Sequence, residues 1–320
     1  MVRSLFFILL GIIALFSCER EEVPVEPHDR GGVETVQIPL GSDYNSQVWY
    51  DLGTNSVIKV ADKTSWELGF SCADSSWKIT LNSSMAMTAG LVENKTFDEV
   101  NSIDEPELFA DHPSGNPDSL ALANWDSKEG VWIVDLGVDA MGNMRGKRKV
   151  SLSKTDDRYT IKYAKLDGSD RQTVTIDKDN RYNRKLLSLK TGDIVLPPQS
   201  SQYDLLFTQY THIFYEPEYM PYLVTGTLIN ENNTSVAIDT TSSFSEINRE
   251  MVNVYEFSSR LDAIGYDWKF YNFEASSYII YDWMNFIVQD AEGYYYKLHF
   301  IDFYNDKGER GFPLMEVQGL

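Results

Sequence analysis

The hydrophobic positions of this chain form two kinds of pattern. Leu5 to Phe16 make one uninterrupted apolar run near the amino terminus. From residue 33 onward, apolar residues occur in short alternating runs broken by turn residues, as in Tyr159–Leu166 followed by Asp167 and Gly168. Such alternation, with abundant Tyr, Phe, Trp, Val, Ile and Thr, is typical of β-strands. We therefore predict an all-β fold of sandwich-like antiparallel sheets.

Two local elements are predicted with particular detail. Ile287–Gly293 followed by Tyr294–Phe303 predicts a hairpin with its bend at the glycine. Helical periodicity is weak elsewhere and predicts only one short helix, near Phe244–Val252.

Sequence blocks recur at a nearly constant spacing. Thr35–Ile38 is matched 138 residues later by Thr173–Ile176, and Trp66–Phe70 is matched 137 residues later by Tyr203–Phe207. The latter two blocks alternate so that the aromatic residue, Leu and Phe lie on one strand face and the acid on the other. Blocks repeated in the same order predict two tandem related β units. The units span residues 33–170 and residues 171–320.

The amino-terminal apolar run predicts an export signal. It is shorter than the roughly 20 residues that cross a bilayer, it follows the positive charge of Arg3, and it ends in Ser17 and Cys18. We predict that residues 1–17 are a lipoprotein signal peptide, that Cys18 carries a lipid anchor, and that residues 18–32 are a flexible acidic tether. The alternative is an ordinary secretory signal in which the cysteine has no role.

Charge and cysteine content narrow the class of protein. A formal net charge of -20 argues against nucleic-acid binding and against electrostatic attachment to anionic lipid, so the lipid must provide the membrane anchor. The only other cysteine is Cys72, so we expect no internal disulfide and a small core or strand residue at that position.

Several blocks in order carry a resemblance to a known family. Trp66–Phe70, Tyr203–Tyr210, Ile264–Lys269 and Tyr295–Phe300 together resemble the HmuY family of Bacteroidetes lipoproteins, most closely over residues 172–320. The resemblance implies two HmuY-like units in an all-β, surface-exposed lipoprotein. It also implies binding of haem or haemoproteins and delivery of haem to an outer-membrane TonB-dependent receptor.

The tether adds to the localisation that this resemblance implies. Glu19–Glu22 is similar to the charged tag that directs Bacteroidetes lipoproteins to the cell surface. We expect a lipid-anchored outer-membrane protein that is exposed at the surface.

The iron ligands of the family are not matched. The resemblance implies two histidines, one near residues 239–243 and one near residues 268–273, and neither segment contains His or Met. His212, with Met220, is the best remaining haem candidate, because it lies in a loop-like, Tyr-rich stretch and haem iron accepts His or Met as an axial ligand. The other histidines have simpler interpretations: His28 is solvated in the tether, His112 lies in a surface loop, and His299 is a satisfied sheet residue.

No catalytic or metal motif appears in the sequence. It has no phosphate-binding loop, nucleophile elbow, zinc-protease motif or His and Cys cluster at zinc spacing, so we predict that the protein is not an enzyme and holds no metal ion. Three hypotheses for function remain. They are a haem-binding or haem-scavenging lipoprotein, a surface module that binds a protein or glycan through aromatic residues, and, least favoured, a hydrolase.

Overall fold

The computed structural model describes residues 31–320, and residues 32–320 form one compact unit. The predicted signal peptide, Cys18, His28 and nearly all of the tether lie outside the described residues. Antiparallel strands build the compact unit, which confirms the predicted all-β fold. Within the described part of the chain, no helix is both long and apolar enough to cross a membrane.

The described fold consists of strands and short 3-10 helices. The strands are β1 (Glu34–Gln37), β2 (Ser46–Asp51), β3 (Ser56–Asp62), β4 (Leu68–Ser71), β5 (Ile79–Leu81), β6 (Thr88–Glu93), β7 (Gly130–Asp135), β8 (Lys147–Thr155), β9 (Arg158–Ala164), β10 (Gln172–Asp177), β11 (Arg184–Leu187), β12 (Ile194–Val195), β13 (Leu205–Phe214), β14 (Met220–Ile229), β15 (Ser235–Asp239), β16 (Lys269–Asn272), β17 (Ser277–Ile280), β18 (Asn285–Gln289), β19 (Tyr295–Tyr304) and β20 (Arg310–Gly319). The 3-10 helices are Lys63–Ser65, Ser83–Met85, Pro117–Ser119, Trp125–Ser127 and Arg249–Val254.

The structure bears on three local predictions, which concern a hairpin, a short helix and Cys72. β18 and β19 form the predicted hairpin, and Gly293 adopts φ 89° at its bend, which glycine tolerates without strain. The helix predicted at Phe244–Val252 is instead a 3-10 helix at Arg249–Val254, because the preceding residues form a turn closed by the Glu246 carboxylate. Cys72 is buried and unpaired, as predicted for a small core residue.

The larger sheets come in two matched pairs. Two five-stranded sheets have the orders β1-β20-β19-β18-β15 and β10-β9-β8-β7-β6, and two four-stranded sheets have the orders β14-β13-β2-β3 and β5-β4-β11-β12. Each of the four contains strands from both sides of residue 170. β1 pairs with β20 and β10 pairs with β9, while β2 pairs with β13 and β11 pairs with β4. The two predicted units therefore exchange strands and share their sheets.

A buried carboxylate ties each half of the chain to the other. Glu67 accepts a hydrogen bond from the backbone N–H of Leu189 at 2.6 Å, and Asp204 accepts one from the N–H of Leu52 at 2.9 Å. The sequence pattern placed these acids on the strand face opposite the aromatic residues, and that face is buried as well, leaving the two acids 0% and 2% exposed. Because a buried polar group is tolerated only when it is hydrogen-bonded, each acid fixes a loop of the other half.

Two loops repeat one local structure. In Thr96–Asn101 and in Ser243–Asn248, a glutamate carboxylate accepts hydrogen bonds from the N–H and the hydroxyl at the start of the loop. A buried lysine, Lys149 or Lys297, lies over the Phe ring of the loop and donates to its backbone carbonyl oxygens. These matched loops support the duplication, which stays a prediction.

Two hydrophobic cores lie within the compact unit. One contains Phe70, Trp132 and Tyr159, and the other contains Trp268 and Phe300. In the second core the Trp268 ring stacks on Phe300 with 3.8 Å between ring centroids. The second core supports the β13–β14 hairpin and the loops beside it.

Burial of Asp204 has a measurable consequence. Desolvation raises the pKa of this carboxyl to about 7, although the hydrogen bond from Leu52 opposes the shift. The folded chain therefore keeps a proton that an unfolded Asp, with a pKa of about 4, has lost. We expect this one carboxyl to lower the free energy of unfolding by on the order of 3 kcal/mol as the pH rises from about 4 to 7.

Denaturant titration of two variants tests this expectation. Asp204→Asn should remove most of the fall in stability between these pH values, whereas Asp306→Asn, in an exposed turn, should keep it. A smaller slope should persist in the first variant, since burial also raises the pKa of Asp111 to about 6. A full wild-type slope in Asp204→Asn would contradict the assignment.

Candidate functional site

His212 lies on a strand and not in the expected loop. β13 and β14 pair along their whole length, from Leu205 opposite Ile229 to Phe214 opposite Met220. The Tyr, Thr, Ile and Phe residues of this stretch have high strand propensity, and an equally long partner strand satisfies their backbone groups. The two sequence candidates for haem are therefore held on a regular hairpin.

Four side chains share one face at the end of this hairpin. His212 is directly opposite Tyr222, and Phe214 is directly opposite Met220. Residues two apart along a strand point to the same face, so His212 and Met220 are diagonal neighbours. The imidazole is half-buried and the Met220 side chain is 45% exposed. The fold thus brings the two candidates together on an accessible surface.

Two aromatic rings contact the His212 imidazole edge to face. Its ring centroid is 4.8 Å from that of Phe214 and 5.1 Å from that of Tyr266. Tyr266 reaches this position because Gly226 lets its loop approach β14, where a Cβ at Gly226 would lie 2.4 Å from the carbonyl oxygen of Gly265. Within residues 31–320, neither ring nitrogen of His212 forms a hydrogen bond.

A second histidine belongs to the same surface. The sequence placed His112 in a surface loop, but its ring is half-buried and stacks on Tyr215 with 6.5 Å between centroids. Its Nδ1 lies 2.8 Å from the hydroxyl oxygen of Ser114. Burial lowers the pKa of His112, and the nearby Arg260 and His212 add to this, although Asp262 opposes the shift.

The hairpin is joined to the His112 loop by Tyr219. Its hydroxyl oxygen accepts a hydrogen bond from the N–H of Ala110 at 2.9 Å, and its ring contacts Phe109 with 6.2 Å between centroids. We name the combined surface the aromatic tip. It comprises His112, His212, Phe214, Tyr215, Tyr219, Met220, Tyr222 and Tyr266.

A cavity of about 90 Å³ lies between the four-stranded sheets, next to the aromatic tip. Its lining is mainly apolar and includes Trp49, Trp66 and Leu206, with His112 also facing it. Pockets for drug-sized ligands usually measure roughly 300 Å³ or more. The cavity is therefore smaller than a typical site for a ligand as large as a porphyrin, and the exposed side of the tip is the better candidate surface.

The model of a known family, described as HmuY protein, matches residues 43–316. The chain belongs to the HmuY family. No curated protein matches it. The solved structures similar to this chain include apo PinO from Porphyromonas gingivitis, with 10% identity, a TM-score of 0.36 and coverage of 91% of this chain and 98% of that chain. They also include the apo HmuY analog TFO of Tannerella forsythia, with 10% identity, a TM-score of 0.27 and the same two coverages. The HmuY assignment rests on the family model.

The two segments where the resemblance placed the HmuY iron ligands hold structural side chains. Burial acts to raise the pKa of Asp239, but hydrogen bonds from Tyr255 and Ser242 outweigh it and hold that pKa far below its usual range. Burial lowers the pKa of Lys269 to about 7, and its Nζ donates to a carbonyl oxygen of β14 and lies 4.1 Å from the Trp268 ring centroid. Both side chains are therefore held by contacts with neighbouring groups of the protein.

His299 is likewise occupied. Its Nδ1 lies 2.7 Å from the carbonyl oxygen of Asp282 and its Nε2 lies 2.9 Å from a carboxylate oxygen of Glu316. The ring also stacks on Phe244 with 4.2 Å between centroids. These contacts are those of the satisfied sheet residue that the sequence predicts.

The donor chemistry of the aromatic tip fits haem. Haem iron accepts a neutral imidazole or a thioether axially, and the tip offers His212, His112 and Met220 among flat aromatic rings. A bare metal ion has no comparable site, since residues 31–320 contain no group of three or more His, Cys, Asp or Glu arranged to hold one.

The different surroundings of the histidines predict different costs of removal. His299→Ala should lower the free energy of unfolding by about 1–3 kcal/mol, because it removes a stacked ring and two hydrogen bonds. His212→Ala should cost less than about 1 kcal/mol, because that ring is half-buried and makes no hydrogen bond in the described chain. Denaturant unfolding followed by circular dichroism measures both values. Equal losses of unfolding free energy in the two variants would contradict the prediction that His299 contributes more to stability than His212.

Proposed function

We propose that this HmuY-family protein is a lipoprotein that binds haem at the aromatic tip, with His212 as an iron ligand. The observation that carries the proposal is the His212 imidazole, which contacts the rings of Phe214 and Tyr266 and has both nitrogens unengaged within residues 31–320. Such an imidazole can ligate iron, and the rings of Phe214 and Tyr266 suit contact with a porphyrin face. Haem is then a cargo that the chain binds and releases.

The arrangement of donors favours His112 as the second ligand. His212 and Met220 lie on one face of one hairpin, whereas His112 comes from a separate loop, so His212 and His112 could hold a ligand from different parts of the chain. The Nε2 of His112 has no hydrogen bond in the described chain, but its Nδ1 accepts one from the N–H of Ser114. Binding of iron through Nε2 would therefore require the ring proton to move to Nδ1 and this hydrogen bond to be given up. In this proposal Met220 contributes apolar contact to the ligand.

The amino-terminal segment supplies the cellular context of the proposal. A signal peptide at residues 1–17, lipidation at Cys18 and a tether at residues 18–32 would hold the protein at the outer membrane, exposed at the cell surface. From there it would take up haem or haemoproteins and pass haem to a TonB-dependent receptor.

A second candidate function is a binding module for a protein or glycan partner. It is favoured by exposed aromatic side chains that do not belong to the aromatic tip as defined above, such as Phe273 at 85% and Trp283 at 50%. Exposed rings of this kind are common at recognition surfaces. A module of this class would not need the histidines.

Titration with haemin separates the two functions. Purified protein should give a saturable shift of the Soret band, and His212→Ala should weaken binding by at least about tenfold, equivalent to about 1.4 kcal/mol. His112→Ala should change the spectrum from that of a six-coordinate to that of a five-coordinate iron. Met220→Leu should leave the spectrum unchanged because the thioether is not a ligand.

The matched control is His28→Ala, which removes a histidine from the tether and should bind haemin like the wild type. Absence of any Soret shift with ferric or ferrous haem would exclude haem as the ligand and favour the partner-binding module. A normal shift in His212→Ala would exclude that residue as an iron ligand while leaving haem binding intact.

The lipid anchor is tested by fractionation. Cys18→Ala should move the protein from the membrane fraction to the soluble fraction and abolish incorporation of labelled fatty acid, because the acyl chains provide the attachment. Cys72→Ala is the matched control and should remain in the membrane fraction. Membrane retention of an unlabelled Cys18→Ala would mean that a different attachment operates.

A further inference from the structure

One short segment concentrates positive charge in this acidic chain. Arg145–Lys149 has four basic side chains in five residues, whereas the whole chain has 28 basic and 48 acidic residues. Three of the four have partners in the fold. Arg145 pairs with Glu67, and the Nζ of Lys147 lies 4.0 Å from a carboxylate oxygen of Asp135. Lys149 is buried and donates to a backbone carbonyl oxygen. The fourth, Arg148, has no ion pair among the described residues.

Arg148 lines an open pocket of about 340 Å³ beside the start of β8. Lys190, from the loop that follows β11, lines the same pocket and is exposed, and it also has no ion pair within residues 31–320. The full set of lining residues is Thr64, Leu136, Asp139, Arg145, Arg148 and Lys190. Three cations from two separate parts of the chain therefore line one space.

The one acid of the pocket is already engaged. The Asp139 carboxylate accepts hydrogen bonds from the N–H groups of Met141 and Asn143 and from the Asn143 side-chain amide. The Nε of Arg148 is buried without an acceptor in the described chain, so protein hydrogen bonds do not hold that edge of the guanidinium in place.

We propose that this pocket binds an oxyanion, with Arg148 and Lys190 as the contacting residues. A guanidinium edge can donate two parallel hydrogen bonds to a carboxylate or phosphate group, and the lysine adds a mobile positive charge. Arg145 is a positioning residue, since its ion pair with Glu67 fixes the wall of the pocket. The pocket shares no residue with the aromatic tip, so the proposal stands independently of haem binding.

Calorimetric titration at low ionic strength with inorganic phosphate, sulfate and glucuronate tests the site. We expect saturable binding of at least one of these anions, weakened at least about tenfold in Arg148→Gln and in Lys190→Gln, since each substitution removes a charged hydrogen-bond donor from the pocket. Lys165→Gln makes the same change of charge at an exposed lysine outside the pocket and should bind like the wild type. Thermal unfolding checks that each variant is folded.

The pattern of binding decides between outcomes. Preference for phosphate and sulfate would identify a tetrahedral group as the ligand, and preference for glucuronate would identify a carboxylate on a sugar-sized molecule. No saturable binding of any of the three would overturn the proposal. An equal loss in Lys165→Gln and Lys190→Gln would overturn it as well, because the effect would then be one of net charge.

Discussion

The exchange of strands between the two halves is the constraint on which the rest of the structure depends. β1 completes a sheet made of second-half strands, β10 completes the equivalent first-half sheet, and the four-stranded sheets join β2 to β13 and β4 to β11. Glu67 and Asp204 reinforce the exchange because each accepts a backbone N–H from the other half. A single half would keep open sheet edges and a buried carboxylate without its partner, and both are costly. The halves therefore form one body.

The two halves differ in the length of their hairpins. In the first half, the β4–β5 hairpin spans Leu68–Leu81, whereas in the second half the β13–β14 hairpin spans Leu205–Ile229 and carries the aromatic tip at its end. A hairpin can lengthen outward without disturbing the core, because the added residues pair with each other. The candidate ligands thus lie on a feature that only the second hairpin has.

The candidate haem ligands of this chain differ from those that the HmuY resemblance implies. In this HmuY-family chain, the segments expected to carry iron ligands contain Asp239 and Lys269, whose charged groups are tied to neighbouring groups of the fold. Freeing either group would leave buried charge or buried polar atoms unpaired. The proposed haem ligands therefore come from a different surface than the resemblance implied.

The sequence by itself determined the features that depend on neighbouring residues. Alternating apolar positions predicted the all-β class, and Gly293 predicted a hairpin bend. The order of several sequence blocks indicated the HmuY family. The apolar run before Cys18 predicts the lipid anchor. Only the tertiary structure decided that β13 extends through His212, that Asp204 is buried, and that His112, 100 positions away from His212, shares its surface. The physical reason is that partners, burial and pKa depend on contacts between residues far apart in the chain, and no local pattern records those contacts.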